Sequence, residues 1–218
     1  MVDQNYTHIN LLVDRTGSMM SIQSDMEGAC NHFLEKQKEV DGACTLSIHQ
    51  FDSDNGGLDY DTICDFVSIS EAPKVVIEPR GCTPLLDATA KMINDLGAKL
   101  NAMPEERRPG KVIVVIITDG MENASREYTV DKIREMIECQ KGTYSWEFVF
   151  LGANFEACEV GESYGIGGRS SLKYAANAPG CHCMAQSLSA SVMAYRCGTK
   201  NAVTFEDKDY EDQEKAGA

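Results

Sequence analysis

Apolar positions along the chain fall into short runs that alternate with stretches of helical periodicity. Residues 8–13 form a β-rich run that stops at Asp14. The polar residues Arg15, Thr16, Gly17 and Ser18 follow, after which Ile22, Met26, Ala29, Cys30 and Phe33 recur at the spacing of one helix face. Cys44, Leu46 and Ile48 alternate with Thr45, Ser47 and His49, which predicts a strand. An acidic, Gly-containing turn over 52–61 and a second run over 62–68 predict an antiparallel hairpin.

Thr83 and Pro84 read as N-cap and first helical residue of a helix carrying Leu85, Thr89, Met92, Ile93, Leu96 and Leu100. A polar loop at 104–110 leads into 111–118, where Val112 to Ile117 are all apolar. A strand apolar on both faces belongs in the middle of a parallel sheet. It too ends at a carboxylate, Asp119, followed by Gly120. Thr129 caps a predicted helix with Val130, Ile133, Met136 and Ile137, and 146–151 is the next strand. Gly152, Ala153 and Asn154 lead into a short helix with Ala157 and Val160. Residues 170–174 read as an edge strand, and Pro179 and Gly180 precede a helix with Met184, Leu188, Val192 and Tyr195. From Glu206 onward the chain is acidic and expected to fray. The alternation predicts an α/β doubly wound, mostly parallel sheet with one antiparallel edge strand and helices on both faces.

The length of 218 residues suits a single domain over 1–205 followed by an acidic tail over 206–218. The net charge of −14 repels phosphate backbones and anionic bilayers, so neither nucleic acid nor membrane is expected as a partner. Nine cysteines in no regular framework read as reduced thiols, which predicts a cytoplasmic setting. The first residues lack the basic start and apolar run of a signal peptide, and no run is long enough to span a bilayer. No feature specifies an oligomeric state.

In doubly wound sheets ligands bind beyond the carboxyl ends of the strands. That edge gathers Asp14, Thr16, Ser18, Thr83 and Asp119, a set of two carboxylates and three hydroxyls. All are hard oxygen donors, which suits a divalent cation, Mg²⁺ foremost with Mn²⁺ or Ca²⁺ as alternatives, and disfavours zinc or copper. The segment from Asp14 to Ser18 resembles the Asp-x-Ser-x-Ser signature of von Willebrand factor type A domains, with Thr16 where Ser is commoner. Thr83 within Gly81-Cys82-Thr83-Pro84-Leu85 resembles that family's separate threonine, and Thr118-Asp119-Gly120 its distal aspartate motif. The motifs come in the family's order and the resemblance covers about residues 8–165, leaving a strand–helix extension over 166–205. Within it, Ser189, Ser191, Tyr195 and Arg196 resemble the C-terminal segment of small bacterial and phage members.

The resemblance implies a Rossmann-like fold with a metal-ion-dependent adhesion site. Thr16 and Ser18 would hold the cation directly, Thr83 directly or through water, and Asp14 and Asp119 largely through water or hydroxyls. It implies a binding module without turnover, whose partner is a protein presenting an Asp or Glu. Two rivals stand beside it. One is a Mg²⁺-dependent phosphohydrolase with Asp14 as nucleophile; the other is a metal-free scaffold. The haloacid dehalogenase pattern, however, wants a second Asp at position 16, and no phosphate-binding Gly-x-x-x-x-Gly-Lys loop is present. Cys181-His182-Cys183 is too tight for a zinc knuckle, and residues 165–168 are a turn with no dinucleotide-binding helix behind it. His8, His32 and His49 are isolated from any nucleophile, and residues 105–108 read as a solvated loop. Arg15 and Met19 flank the expected cation, where they could touch a ligand or simply pack within an exposed loop.

Overall fold

A computed structural model describes residues 2–53, 56–153 and 156–218. Positions 54 and 55 of the acidic turn and Asn154 ahead of the short helix lie outside the described residues. The strands are β1 Asp3–Asp14, β2 Ala43–Asp52, β3 Asp59–Ser68, β4 Pro109–Thr118, β5 Glu147–Ala153 and β6 Ser171–Tyr174. The helices are α1 Gln23–Lys38, α2 Leu85–Ala102, α3 Val130–Tyr144, α4 Ala157–Ser163, α5 Ala178–Arg196 and α6 Asp207–Ala216.

The strands form one sheet in the order β3-β2-β1-β4-β5-β6. Every neighbouring pair is parallel except β2 with β3, where Phe51 opposes Tyr60. The order reverses beside β1: the chain steps from β1 to β2 on one side and later returns to place β4 on the other. Strand reversal opens a crevice at the carboxyl ends of β1 and β4, the place where doubly wound sheets take ligands. Side chains alternate across the sheet, so each strand feeds two cores. Ile9, Leu11 and Val13 pack with α1 and α5 on one face, while Leu12, Val114 and Ile116 pack with α2 and α3 on the other.

Two expectations from the sequence need correction. The tail expected to fray forms α6. Glu206 and Asp209 make a reciprocal capping box, and Gly217 closes the helix in the left-handed region at φ 99°. Its one buried residue, Gln213, accepts from the Ala175 N–H at 3.1 Å and donates to the Gly180 carbonyl at 3.1 Å. Gly180 lets α5 start this close to β6, since a Cβ there would lie 2.2 Å from the Ala175 carbonyl oxygen. Thr83 is not the cap of α2 either. Pro84 holds that position, and the first-turn N–H groups of Leu86 and Asp87 donate to Glu122 (2.9 Å) and to the Ser125 hydroxyl (3.1 Å). With its capping duty taken over, the Thr83 hydroxyl is free to face the sheet edge.

Candidate metal centre

Asp14 ends β1 with no exposed surface, and both carboxylate oxygens are engaged. The Thr16 N–H donates to Oδ1 at 2.6 Å, which turns the chain sharply out of the strand. The Thr118 hydroxyl, at the end of β4, donates to Oδ2 at 2.6 Å. The turn directs the hydroxyls of Thr16 and Ser18 to the same side, 3.1 Å apart. Thr83 reaches in from the start of α2 and donates to Thr16 Oγ1 at 3.2 Å, and Ser18 donates to Asp119 Oδ1 at 2.6 Å. All five residues singled out from the sequence thus lie in one connected cluster. Asp14, Thr16, Thr83 and Asp119 are buried, and Ser18 is exposed, so the cluster opens to solvent on the Ser18 side.

Neighbouring segments hold the loop. Arg15 N–H donates to the Phe51 carbonyl (3.1 Å), Arg80 N–H to the Arg15 carbonyl (2.9 Å) and Gly17 N–H to the Gly81 carbonyl (3.1 Å). The Arg15 side chain does not reach toward a ligand. It is buried and pairs with Asp52 and Asp61, each at 2.5 Å, while Arg80 also reaches Asp52 at 2.8 Å. Met19 is wholly buried as well, and the exposed apolar side chain of this turn is Met20. On the far side, Asn123 accepts from the Thr83 N–H at 2.8 Å and returns its own N–H to the Thr83 carbonyl at 3.1 Å. Asp87 accepts the N–H groups of Arg126, Glu127 and Tyr128 at 2.8, 3.1 and 2.9 Å, fixing the loop after Asp119 onto α2.

Sequence reasoning named Thr118 only within the distal aspartate motif and did not single out Asn123, Glu122 or Asp87. Thr118 carried a usable signal, being a hydroxyl one position before the strand-end carboxylate. The others act through contacts 36 to 41 positions apart, which no local pattern reveals.

Burial raises the pKa of Asp14 to about 6, opposed by the hydrogen bonds from Thr118 and Thr16. Burial likewise raises that of Asp119, opposed by the Ser18 hydroxyl. Burial thus disfavours the charged form of both carboxylates, a cost that a nearby cation would offset. The space fits a small cation. Gly120 borders it without a side chain, and a Cβ there would stand 3.3 Å from both Ser18 Oγ and Thr83 Oγ1, inside the cradle. Among the described residues, no group of three or more His, Cys, Asp or Glu side chains is arranged to hold a metal, so a cation in this cluster would depend on hydroxyl donors as well.

No family model matches the chain, and no curated protein matches it in sequence. Solved structures match in fold. Proximal thread matrix protein 1 from the mussel byssus superposes with a TM-score of 0.60 at 10% identity, covering 89% of this chain and 47% of that one. The pilus adhesin SpaC from Lactobacillus rhamnosus GG, in its open conformation, gives 0.64 at 12% identity over 88% of this chain and 30% of that one. A von Willebrand factor type A protein from Catenulispora acidiphila gives 0.58 at 12% identity over 88% and 43%. The chain therefore spans less than half the length of these structures. Its fold is that of the von Willebrand factor type A domain, a Rossmann-like sheet with one antiparallel edge. The mussel protein has also been solved with its metal-ion-dependent adhesion motif occupied by zinc (TM-score 0.57, 11% identity, 87% of this chain and 46% of that one).

Proposed function

We propose that this domain is a protein-binding module that holds one divalent cation among Asp14, Thr16, Ser18, Thr83 and Asp119 and offers it to an Asp or Glu of a partner protein. The observation that carries this reading is the convergence of three hydroxyls within 3.2 Å of one another or of a shared neighbour, on a rim carrying two buried carboxylates. Neutral hydroxyl donors leave most of a bound cation's charge uncompensated, so a bound cation would supply Lewis acidity toward an incoming carboxylate. The residues supply the rest. Asp14 and Thr118 fix the loop, Ser18 keeps the solvent side open, and Gly120 keeps the floor clear. The zinc-occupied motif of the mussel protein and the adhesive role of the pilus protein support the same reading.

Mg²⁺ is the proposed cation, with Mn²⁺, Ca²⁺ and, by analogy with the mussel protein, Zn²⁺ as alternatives. No catalytic turnover is proposed. A nucleophilic Asp14 would need a carboxylate oxygen facing substrate, whereas both of its oxygens accept hydrogen bonds inside the fold. A cytoplasmic setting is proposed from the nine cysteines, all unpaired, with three of them buried. Among the described residues no helix is long and apolar enough to cross a membrane. A bacterial or phage origin rests on the residues of the C-terminal extension alone.

Calorimetric titration with Mg²⁺, Mn²⁺ and Ca²⁺ tests the site. One cation is expected to bind wild type and none to bind Asp14→Asn. A silent wild-type titration would support the metal-free scaffold instead. Metal-dependent hydrolysis of phosphate esters, lost in Asp14→Asn, would support the hydrolase.

A further inference from the structure

Six large apolar side chains are exposed among the described residues, and the two most exposed are Met20 at 69% and Met121 at 64%. Both lie on the loops that carry the cation cradle. Met20 is two positions beyond Ser18 and Met121 two positions beyond Asp119, and Ser18 and Asp119 are joined by a 2.6 Å hydrogen bond. Two residues of chain span at most about 7 Å, so the backbones of both methionines lie within that reach of the Ser18–Asp119 pair. Their neighbours were drawn inward: Met19 is buried in the core facing α1 and α5, and Gly120 has no side chain. Exposed apolar groups scattered singly carry no meaning, but two beside one polar opening do. Methionine is also the apolar side chain best able to adapt to differing contacts.

Charge narrows the partner further. The chain carries −14 overall, so a segment rich in carboxylates is repelled at long range, and only the cradle would attract a carboxylate. We infer that Met20 and Met121 form an apolar border that selects partner segments in which a single Asp or Glu stands among apolar side chains. This rests on the reading of the cradle as a carboxylate-binding cation site. The carboxylate is directed to the cradle, and its flanking aliphatic groups cover the two methionines.

The test uses two labelled octapeptides, each with one central Glu. In one the Glu is flanked by Leu, Val and Ala, in the other by Ser, Gln and Gly. Binding is followed by fluorescence anisotropy in Mg²⁺ and in EDTA, with cation affinity measured calorimetrically alongside. The aliphatic peptide is expected to bind about tenfold more tightly, and only with Mg²⁺. The double variant Met20→Gln with Met121→Gln should erase the preference while cation affinity stays unchanged. Met20→Leu with Met121→Leu should keep it. Equal binding of both peptides to wild type, or a preference that survives the Gln variant, overturns the inference alone. If the cation binds but neither peptide does, the carboxylate-capture reading fails and the inference with it.

Discussion

Toward α1 and α5, β1 presents Ile9, Leu11 and Val13, and β4 presents Ile113, Val115 and Ile117, all fully or nearly fully buried. Toward α2, the alternate positions of β1 are His8, Asn10 and Leu12, and β2 adds Ser47 and His49. The first face is apolar at all six of these positions. The second carries a polar inlay that is only partly satisfied. His8 Nδ1 meets Thr45 Oγ1 at 2.9 Å and His49 Nδ1 meets Thr62 Oγ1 at 3.1 Å. His8 Nε2, Asn10 Oδ1, Tyr60 Oη and Thr89 Oγ1 are buried without a hydrogen-bond partner among the described residues. Phe66 stacks on His8 at 3.8 Å between ring centroids and adopts φ 52°, a left-handed conformation that costs a non-glycine residue about 1 to 3 kcal/mol. The difference teaches that one face supplies stability while the other spends some of it on polar groups, and the second face also supports α2, the helix that delivers Thr83.

The largest expected effect lies on the apolar face. Phe33→Ala removes a side chain 1% exposed from the core between α1 and the sheet and should lower unfolding free energy by about 3 to 5 kcal/mol in denaturant melts. A loss below about 1 kcal/mol would mean that this face is not the main source of stability.

Acid should act on the polar face. Burial depresses the pKa of His8 to about 3 and of His49 to about 4. Unfolded, each titrates near 6.5, so between those values the unfolded chain holds more protons. Stability should therefore fall as pH drops below 6.5, by up to about 1.4 kcal/mol per pH unit for each histidine, and level off below their folded values. Asp14 acts in the opposite sense. Its folded pKa is raised to about 6, so as pH falls from 6 toward its unfolded value the native state gains the proton first and is stabilised. Asp119 and Glu147, likewise raised by burial, act with Asp14, but the two deep histidine shifts leave a net loss in EDTA between pH 6.5 and 4. Stability rising over that range would contradict the neutral, buried state of the histidines.

Thr118→Val joins the comparison to the site. It keeps the shape of the side chain but leaves Asp14 Oδ2 without its 2.6 Å donor. Cation affinity should fall about tenfold, with a stability loss of about 1 to 3 kcal/mol. Unchanged affinity by calorimetry would show that Asp14 is held without Thr118. The smallest expected change is a gain. Asn10→Leu replaces a buried amide whose Oδ1 has no partner by a side chain of similar volume and should raise stability by about 1 kcal/mol. A loss would mean that the amide is satisfied after all.

The sheet was largely legible because its strands are apolar runs closed by a polar turn, as residues 111–118 show before Asp119. The site was legible because oxygen donors recur just past those strand ends. What escaped prediction depends on contacts that sequence spacing does not encode. Helix α6 has an acidic exterior and is anchored through Gln213 and the Tyr210 hydroxyl, so no apolar stripe announces it. Met19 and Met20 are adjacent and chemically identical, and only the 3-10 turn over Gly17–Ser21 decides which one is buried. Sequence reasoning leaves Arg15 open between ligand contact and loop packing because its carboxylate partners, Asp52 and Asp61, lie 37 and 46 positions away.

The hydrogen bond from Thr118 to Asp14 joins residues 104 positions apart, and that from Ser18 to Asp119 spans 101. An unfolded chain brings such distant residues together only transiently, so the cradle exists only once β1 and β4 have paired. A cation that binds there binds the completed topology and not the unfolded chain. At a hundredfold excess over its dissociation constant it would add about 2.7 kcal/mol to the stability of the whole domain. Cation supply would then govern how long the domain survives as well as what it holds, and a chelator would loosen the sheet far from the residues it strips.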